Sequence, residues 1–162
     1  MVLAIYGPTA SGKTAVAEAI ATQIPAELIS ADAAALFRGL GVLTAAPKHP
    51  TRLVGVFDLD QEVSVGEFQR LAHEAIDHAL ANERTPVVVG GTGLYLKAAL
   101  SDLELPPPPQ EGAREKWESF YDAHGGIHAH GRLQALDPET AARVHPNDRR
   151  RVVRALELAE AG

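Results

Sequence analysis

The chain has 162 residues, of which 46% are hydrophobic and 22% charged, a composition typical of a globular domain and not of a disordered segment. It contains no cysteine, which excludes disulfides and thiolate metal sites, and its formal net charge of −6 argues against nucleic acid as a partner unless basic residues are clustered. No apolar run is long enough for a signal-peptide core or a membrane span, so we expect a cytoplasmic protein with no membrane partner.

The first elements predict a phosphate-binding loop between a strand and a helix. Residues 2–7, VLAIYG, form a short apolar run of the kind found in buried parallel strands. Residues 7–14, GPTASGKT, match the pattern G-x-x-x-x-G-K-[ST], and residues 14–24 are typical of a helix that Pro25 ends. Backbone N–H groups at such a loop bind phosphate oxygens, so we expect a phosphate or pyrophosphate ligand. The predicted ligand-binding residues are Gly7, Pro8, Thr9, Ala10, Ser11, Gly12, Lys13 and Thr14, with the Thr14 hydroxyl on Mg²⁺.

Further strands follow along the chain. ELISAD, residues 27–32, predicts a second strand, and residues 41–52 predict a loop. LVGVFD, residues 53–58, predicts a third strand, and TPVVVGG, residues 85–91, a fourth that ends in glycines.

Helices are predicted between and after these strands. Apolar residues at helical spacing predict an amphipathic helix after Ser64, with Glu67 as its capping-box partner, and residues 94–103 predict another. Strands alternating with helices predict an α/β fold, a P-loop NTPase-like parallel sheet flanked by helices.

A proline run marks a change of organisation. Four consecutive prolines at 106–109 fit neither a helix nor a central strand, so residues 105–110 are predicted to form a stiff connector. Beyond it only helical patterns occur. We therefore predict an α/β core over 1–104 and a helical region, a small insertion or appendage, over 111–162.

Two acids at the ends of predicted strands leave alternatives open. Asp32 either performs chemistry beside the loop, at the edge where α/β sheets bind ligands, or caps the following turn. A kinase that uses ATP needs an acid at a strand end to hold its metal, and Asp58 could serve because PVVVGG ends without one.

Basic residues are concentrated in one segment. Residues 143–154, RVHPNDRRRVVR, contain five arginines and one acid. A charge run is most often a solvated helix face, but this density of arginine with few acids favours contact with phosphates.

Four motifs in order carry a resemblance to a known family. GPTASGKT, ISAD, PVVVGGTGLYLKAAL and HPNDRRRVVRALE occur at fitting separations between residue 3 and about residue 160. Together they resemble the tRNA dimethylallyltransferase family, which transfers a dimethylallyl group from dimethylallyl diphosphate to N6 of adenine 37 in tRNA. The resemblance implies a monomeric, Mg²⁺-dependent enzyme whose loop holds the pyrophosphate of the donor and whose other partner is the tRNA anticodon stem-loop.

The resemblance also implies roles for particular residues. Asp32 would accept a hydrogen bond or the proton from the adenine N6, and Lys13 and Thr14 would assist the departure of diphosphate. Thr92, in the GGTG loop, would approach a flipped-out adenosine. The residues implied to contact tRNA are Asp32, Ala33, Ala34, Ala35, Arg38, Thr92, Arg149, Arg150, Arg151 and Arg154.

Some positions depart from the family pattern. Ala33 and Ala35 stand where the family has hydrogen-bonding residues, and Ala46 stands where it has a lysine. Each lost base contact is worth about 1–3 kcal/mol of discrimination. Family members normally continue well beyond the equivalent of residue 162, so we expect that a C-terminal part, and with it some activity, is lacking.

Three rival functions remain. One is a P-loop kinase for a small molecule or nucleotide, which would depend on Asp58. Another is an adenylate isopentenyltransferase acting on free AMP or ADP, although such a substrate needs no arginine-rich grip. The third is a fragment that binds pyrophosphate or RNA without turnover.

Overall fold

The computed structural model describes residues 1–40, 49–106 and 110–161, and it separates into two compact units, Met1–Glu104 and Leu105–Gly162. Ala46 and the prolines at 107–109 lie outside the described residues. The stiffness of the proline connector therefore stays a prediction.

The first unit is built on a parallel sheet. Its described strands are β1 (Leu3–Tyr6), β2 (Ala26–Ser30), β3 (Thr51–Arg52) and β4 (Thr85–Gly90). They lie in the order β1-β4-β2-β3, and every pairing is parallel. Val87 of β4 is in register with Leu3 on one side and with Leu28 on the other. This arrangement confirms the predicted α/β fold class.

Helices cover both faces of this sheet, as predicted. They are α1 (Lys13–Gln23), α2 (Val65–Ala81) and α3 (Gly93–Leu100). Leu28 packs with Ala17 of α1, whereas the next residue, Ile29, packs with Phe68 of α2. Successive side chains of a strand point to opposite faces, so β2 is buried on both sides, with Glu27 and Ser30 as its two polar residues.

The start of α2 is capped as its sequence predicts. The Ser64 Oγ accepts a hydrogen bond of 3.1 Å from the Glu67 N–H, which satisfies one of the amides that an α-helix leaves unpaired at its first turn.

The predicted strand over 53–58 is wrong, and part of the predicted loop is a strand instead. The edge strand is the two-residue β3, and the chain turns directly after it. Leu53 has a φ of +60° and Gly55 a φ of +62°, values that an extended strand does not allow. Only Phe57 forms an isolated parallel bridge, with Phe37.

The second unit is helical, as predicted. Its described helices are α4 (Ala113–His124), α5 (Gly126–Leu136), α6 (Pro138–Ala141) and α7 (Arg149–Ala161). Trp117, Leu133, Val152 and Leu156 form the centre of their shared core. None of the described helices in either unit has the length and apolarity to span a membrane.

We expect Gly90→Ala to destabilise the first unit. A Cβ built on Gly90 would lie 2.8 Å from the carbonyl carbon of Ala31, so the backbones of β4 and β2 would have to move apart. Such overpacking costs about 1–3 kcal/mol, which would be measured as a lower denaturation midpoint by circular dichroism.

Gly131→Ala is the matched control. A Cβ at Gly131, within α5, meets nothing within 4 Å, so alanine there should leave stability unchanged or raise it by up to about 1 kcal/mol. Equal effects of the two substitutions would contradict the close approach of β4 and β2.

Candidate phosphate and acceptor site

The loop after β1 leads directly into α1. Gly12, with a φ of +85°, and Ala10, with a φ of +64°, turn the backbone there. No side chain of the described residues caps the start of α1, so its first amides remain available to an anion. The Lys13 ammonium folds back over the loop and donates to the Pro8 carbonyl at 2.5 Å. Free N–H groups and a cation at one helix start are the elements of a phosphate site.

The end of β4 lies against this loop. A Cβ built on Gly91 would be 3.2 Å from the Gly7 carbonyl oxygen and 3.7 Å from the Lys13 Nζ. Thr92 follows as the residue before α3 and is partly buried. The two predicted loops, 7–14 and 90–93, are therefore neighbours at the carboxyl edge of the sheet.

Lys13, Thr14 and Asp32 line a single cavity of about 70 Å³ at this edge. It lies between the start of α1 and the ends of β2 and β4. The other lining residues are Ala17, Leu28, Ser30, Ala35, Thr51, Val54, Val89 and Gly90.

The carboxylate of Asp32 is held in one orientation. Its Oδ1 accepts a hydrogen bond of 3.0 Å from the Ala34 N–H, which is the turn-capping contact that one sequence interpretation predicted. Among the described residues, no hydrogen bond to its Oδ2 is present. The capping role and a chemical role are thus compatible, because capping uses only one oxygen of a carboxylate that lines the cavity.

The environment of Asp58 does not match what a kinase requires. Asp58 is exposed, follows no strand and forms an ion pair of 2.7 Å with Arg38. Arg38 also donates to the Gly55 carbonyl at 3.1 Å and so fixes the turn over 53–58. The strand beside β1 is β4, and it ends in glycines without an acid. Asp58 therefore does not line the cavity, and the acid that does line it is Asp32.

The four predicted tRNA-contacting arginines of α7 fall into two groups. Arg149 forms a two-pronged pair with Asp122 of α4, at 2.8 and 2.7 Å, and its hydrogen bond lowers the pKa of the Asp122 carboxyl. Arg154 pairs with the buried Glu157 at 2.8 Å. Arg151 is exposed, 3.4 Å from Asp148, and Arg150 is exposed with no side-chain partner among the described residues.

Several cavity residues were missed by the sequence reasoning. Ser30 could have been found, because it lies two positions before Asp32 in the predicted strand over 27–32, where alternate residues share a face. Thr51 and Val54 carry no local signal, since they flank a two-residue strand within segments predicted as loop and as a longer strand.

Comparisons with known proteins identify the family of this chain. The family model for IPP transferase matches residues 35–162. This chain belongs to the IPP transferase family. A tRNA dimethylallyltransferase from Exiguobacterium sp. (strain ATCC BAA-1283 / AT1b) is 42% identical over 168 residues, covering 99% of this chain and 54% of that relative. One from Desulforudis audaxviator (strain MP104C) is 39% identical, covering 95% of this chain and 52% of the relative.

Two solved structures have folds similar to that of this chain. The full-length tRNA isopentenylpyrophosphate transferase from Bacillus halodurans is 36% identical with a TM-score of 0.61, covering 98% of this chain and 55% of that one. A eukaryotic dimethylallyltransferase acting on tRNA, at 24% identity, has a TM-score of 0.74 over 96% of this chain and 40% of its own and shows the same fold. The chain spans about half the length of the curated relatives it matches.

We expect Arg149→Ala and Arg150→Ala to act differently. Loss of Arg149 removes the Asp122 pair between α7 and α4, so the denaturation midpoint of the helical unit should fall. Loss of Arg150 should leave that midpoint unchanged. It should reduce the magnitude of the slope of log affinity for RNA against log salt concentration by about 1, the contribution of one phosphate contact. Fluorescence anisotropy with labelled tRNA at several salt concentrations measures the second effect. An unaltered salt slope in Arg150→Ala would contradict phosphate contact.

Proposed function

We propose that the chain carries the donor-binding and acceptor-activating parts of a tRNA dimethylallyltransferase. The reaction transfers a dimethylallyl group from dimethylallyl diphosphate to N6 of adenine 37 in tRNA and releases diphosphate. The observation that supports it is the cavity shared by Lys13, Thr14 and Asp32, in a chain that belongs to the IPP transferase family.

The phosphate loop would hold the leaving group. The N–H groups of residues 9–14 would surround the diphosphate, and the Lys13 ammonium would leave the Pro8 carbonyl to bind its oxygens. Negative charge grows on these oxygens as the C–O bond of the donor breaks, so donors positioned there lower the barrier. The other loop residues, Gly7 and Gly12, permit this close wrapping.

Asp32 would act on the acceptor. The N6 nitrogen of adenine forms a bond to the dimethylallyl carbon, the C–O bond breaks, and the surplus proton on nitrogen passes to the Asp32 carboxylate. Proton removal of this kind contributes about 10²–10⁴-fold. The hydrogen bond from the Ala34 N–H fixes the carboxylate for this role. Thr92 and the exposed Ala34 would contact the incoming base.

A magnesium ion fits the residues that are present. The described residues contain no group of three acids or histidines that could form an all-protein metal site. Mg²⁺ typically takes one or two protein oxygens and completes its shell with phosphate oxygens and water, and the Thr14 hydroxyl at the cavity supplies such an oxygen. When bound, Mg²⁺ would neutralise charge on the departing diphosphate. We also propose that Arg38 and the arginines of α7 contact tRNA, and that the protein is monomeric and cytoplasmic.

The deciding experiment incubates the chain with labelled dimethylallyl diphosphate, Mg²⁺ and unmodified tRNA, with AMP and ATP as parallel acceptors, followed by nucleoside analysis. We expect isopentenyladenosine in tRNA alone. Label in AMP would identify an adenylate isopentenyltransferase. ATP hydrolysis without prenyl transfer would contradict the proposal and favour a kinase. Tight pyrophosphate binding without transfer to any acceptor would identify a binding fragment.

Lys13→Ala and Asp32→Asn should separate the two sides of the site. Loss of the Lys13 ammonium should weaken binding of inorganic pyrophosphate by about 10–100-fold in calorimetry, because a charged hydrogen bond contributes about 1.5–3 kcal/mol. Asp32→Asn should leave pyrophosphate affinity unchanged and lower kcat by about 10²-fold or more. The matched controls are Lys97→Ala and Asp77→Asn, both exposed on helices. Parallel loss of pyrophosphate binding in Asp32→Asn would contradict its assignment to the acceptor.

A further inference from the structure

The two residues of β3 point to opposite faces of the sheet. Thr51 is in register with Leu28, on the face covered by α1, and its side chain lines the cavity of Lys13 and Asp32. Arg52 is in register with Ile29, on the face covered by α2. Whatever holds Arg52 therefore also fixes the position of Thr51 in the site.

Backbone pairing alone gives β3 little support. The strand pairs with β2 at only two positions and lies at the edge of the described sheet. Directly after it, Leu53 adopts a left-handed conformation, and Val54 returns to the cavity wall. A two-residue edge strand is too short to set a register by itself, so a side-chain anchor adds to the backbone hydrogen bonds that Gly55 and Val56 donate to Ala35 and Leu36 in the turn that follows.

That anchor is a buried carboxylate on β2. The side chain of Glu27 is 10% exposed, and its Oε1 accepts a hydrogen bond from the Arg52 Nε. His78 of α2 completes the cluster: its Nδ1 lies 3.3 Å from the same Oε1 and 3.0 Å from the Arg52 Nη2. The guanidinium is thus held between the second strand and the second helix, both well packed elements of the core.

We infer that Glu27 is a positioning residue for the acceptor side of the site, acting through Arg52 on the wall formed by Thr51 and Val54. Glu27 itself contacts no reacting atom. Among the described residues, no hydrogen bond or ion pair joins Glu27 or Arg52 to residues 7–14. We therefore expect its influence at Thr51 and Val54 and not at the loop over 7–14, although the loop and this wall line the same cavity. This inference rests on the proposed function for its kinetic consequence only.

The test compares Glu27→Gln, which removes the charge and keeps the shape, with Glu27→Asp, which keeps the charge. Glu74→Gln is the matched control, because Glu74 is exposed on α2 and, among the described residues, pairs with Arg70 alone. The first measurement is the backbone amide spectrum of the ¹⁵N-labelled chain. We expect Glu27→Gln to shift the amide resonances of Thr51 and Val54 and to leave those of Gly7, Gly12 and Lys13 in place.

The second measurement is functional. Glu27→Gln should raise KM for tRNA by about tenfold with kcat changed by less than about threefold, the pattern of weakened binding without a lost transition-state contact. Pyrophosphate affinity should stay within about twofold of the original. In Glu27→Asp the KM for tRNA should lie much closer to that of the unsubstituted chain than in Glu27→Gln, because a carboxylate again faces Arg52.

Each outcome decides the inference. Unshifted Thr51 and Val54 resonances, or an equal shift of the phosphate loop with a parallel loss of pyrophosphate binding, would overturn it. If Glu27→Gln does not fold, Arg52→Lys makes the same test, because it removes the fork while keeping the exposed cation. Absence of prenyl transfer by the unsubstituted chain would refute the proposed function alone, since the spectra and pyrophosphate binding need no turnover.

Discussion

The site depends on the position of β4 between β1 and β2. Parallel pairing on both sides of β4 brings the carboxyl ends of three strands to one edge, so the residues that follow each strand become neighbours. Lys13 follows β1, Asp32 follows β2 and Thr92 follows β4, although they are far apart in sequence. Gly90 makes this possible, because any side chain there would meet the backbone of Ala31 where the two strands approach. The pairing of β4 with both β1 and β2 is thus the condition on which the arrangement of the site residues depends.

The parts of this arrangement that are local in sequence could be predicted. The phosphate loop, the position of Asp32 after a strand and the capped start of α2 at Ser64 each depend on residues within a few positions of one another. β3 could not be predicted, because a two-residue strand has no period, and its anchor joins Glu27 to Arg52 across 25 positions. The apolar run over 53–58 suggested a strand, but the left-handed Leu53 and the hold of Arg38 on Gly55 fold it into a turn.

The arginines are a second feature for which the sequence gives the number of charges but not their partners. The density of the segment over 143–154 suggested a surface for phosphates, yet Arg149 and Arg154 face acids of their own unit. Two donors of Arg149 already point at the Asp122 carboxylate, whereas Arg150 has no side-chain partner among the described residues. Arg38 also has partners within the chain, because its guanidinium holds a turn together beside Asp58. A basic segment therefore contains both structural and available cations, and only packing separates them.

The two sides of the cavity consequently rest on different physical foundations. The diphosphate side is formed by consecutive residues around the start of α1, so its geometry follows from a short motif. The acceptor side is assembled from β2, β3 and the turn after it, and it contains Ala35, whose buried methyl group offers no hydrogen bond. The alanine at position 35 does not disturb the orientation of Asp32, because the backbone N–H of Ala34 donates the hydrogen bond that holds Oδ1. A backbone amide is present whatever the side chain. Divergence in side chains is thus tolerated on this side, where the backbone itself positions the carboxylate and the ion pair of Arg52 with the buried Glu27 positions the opposing wall.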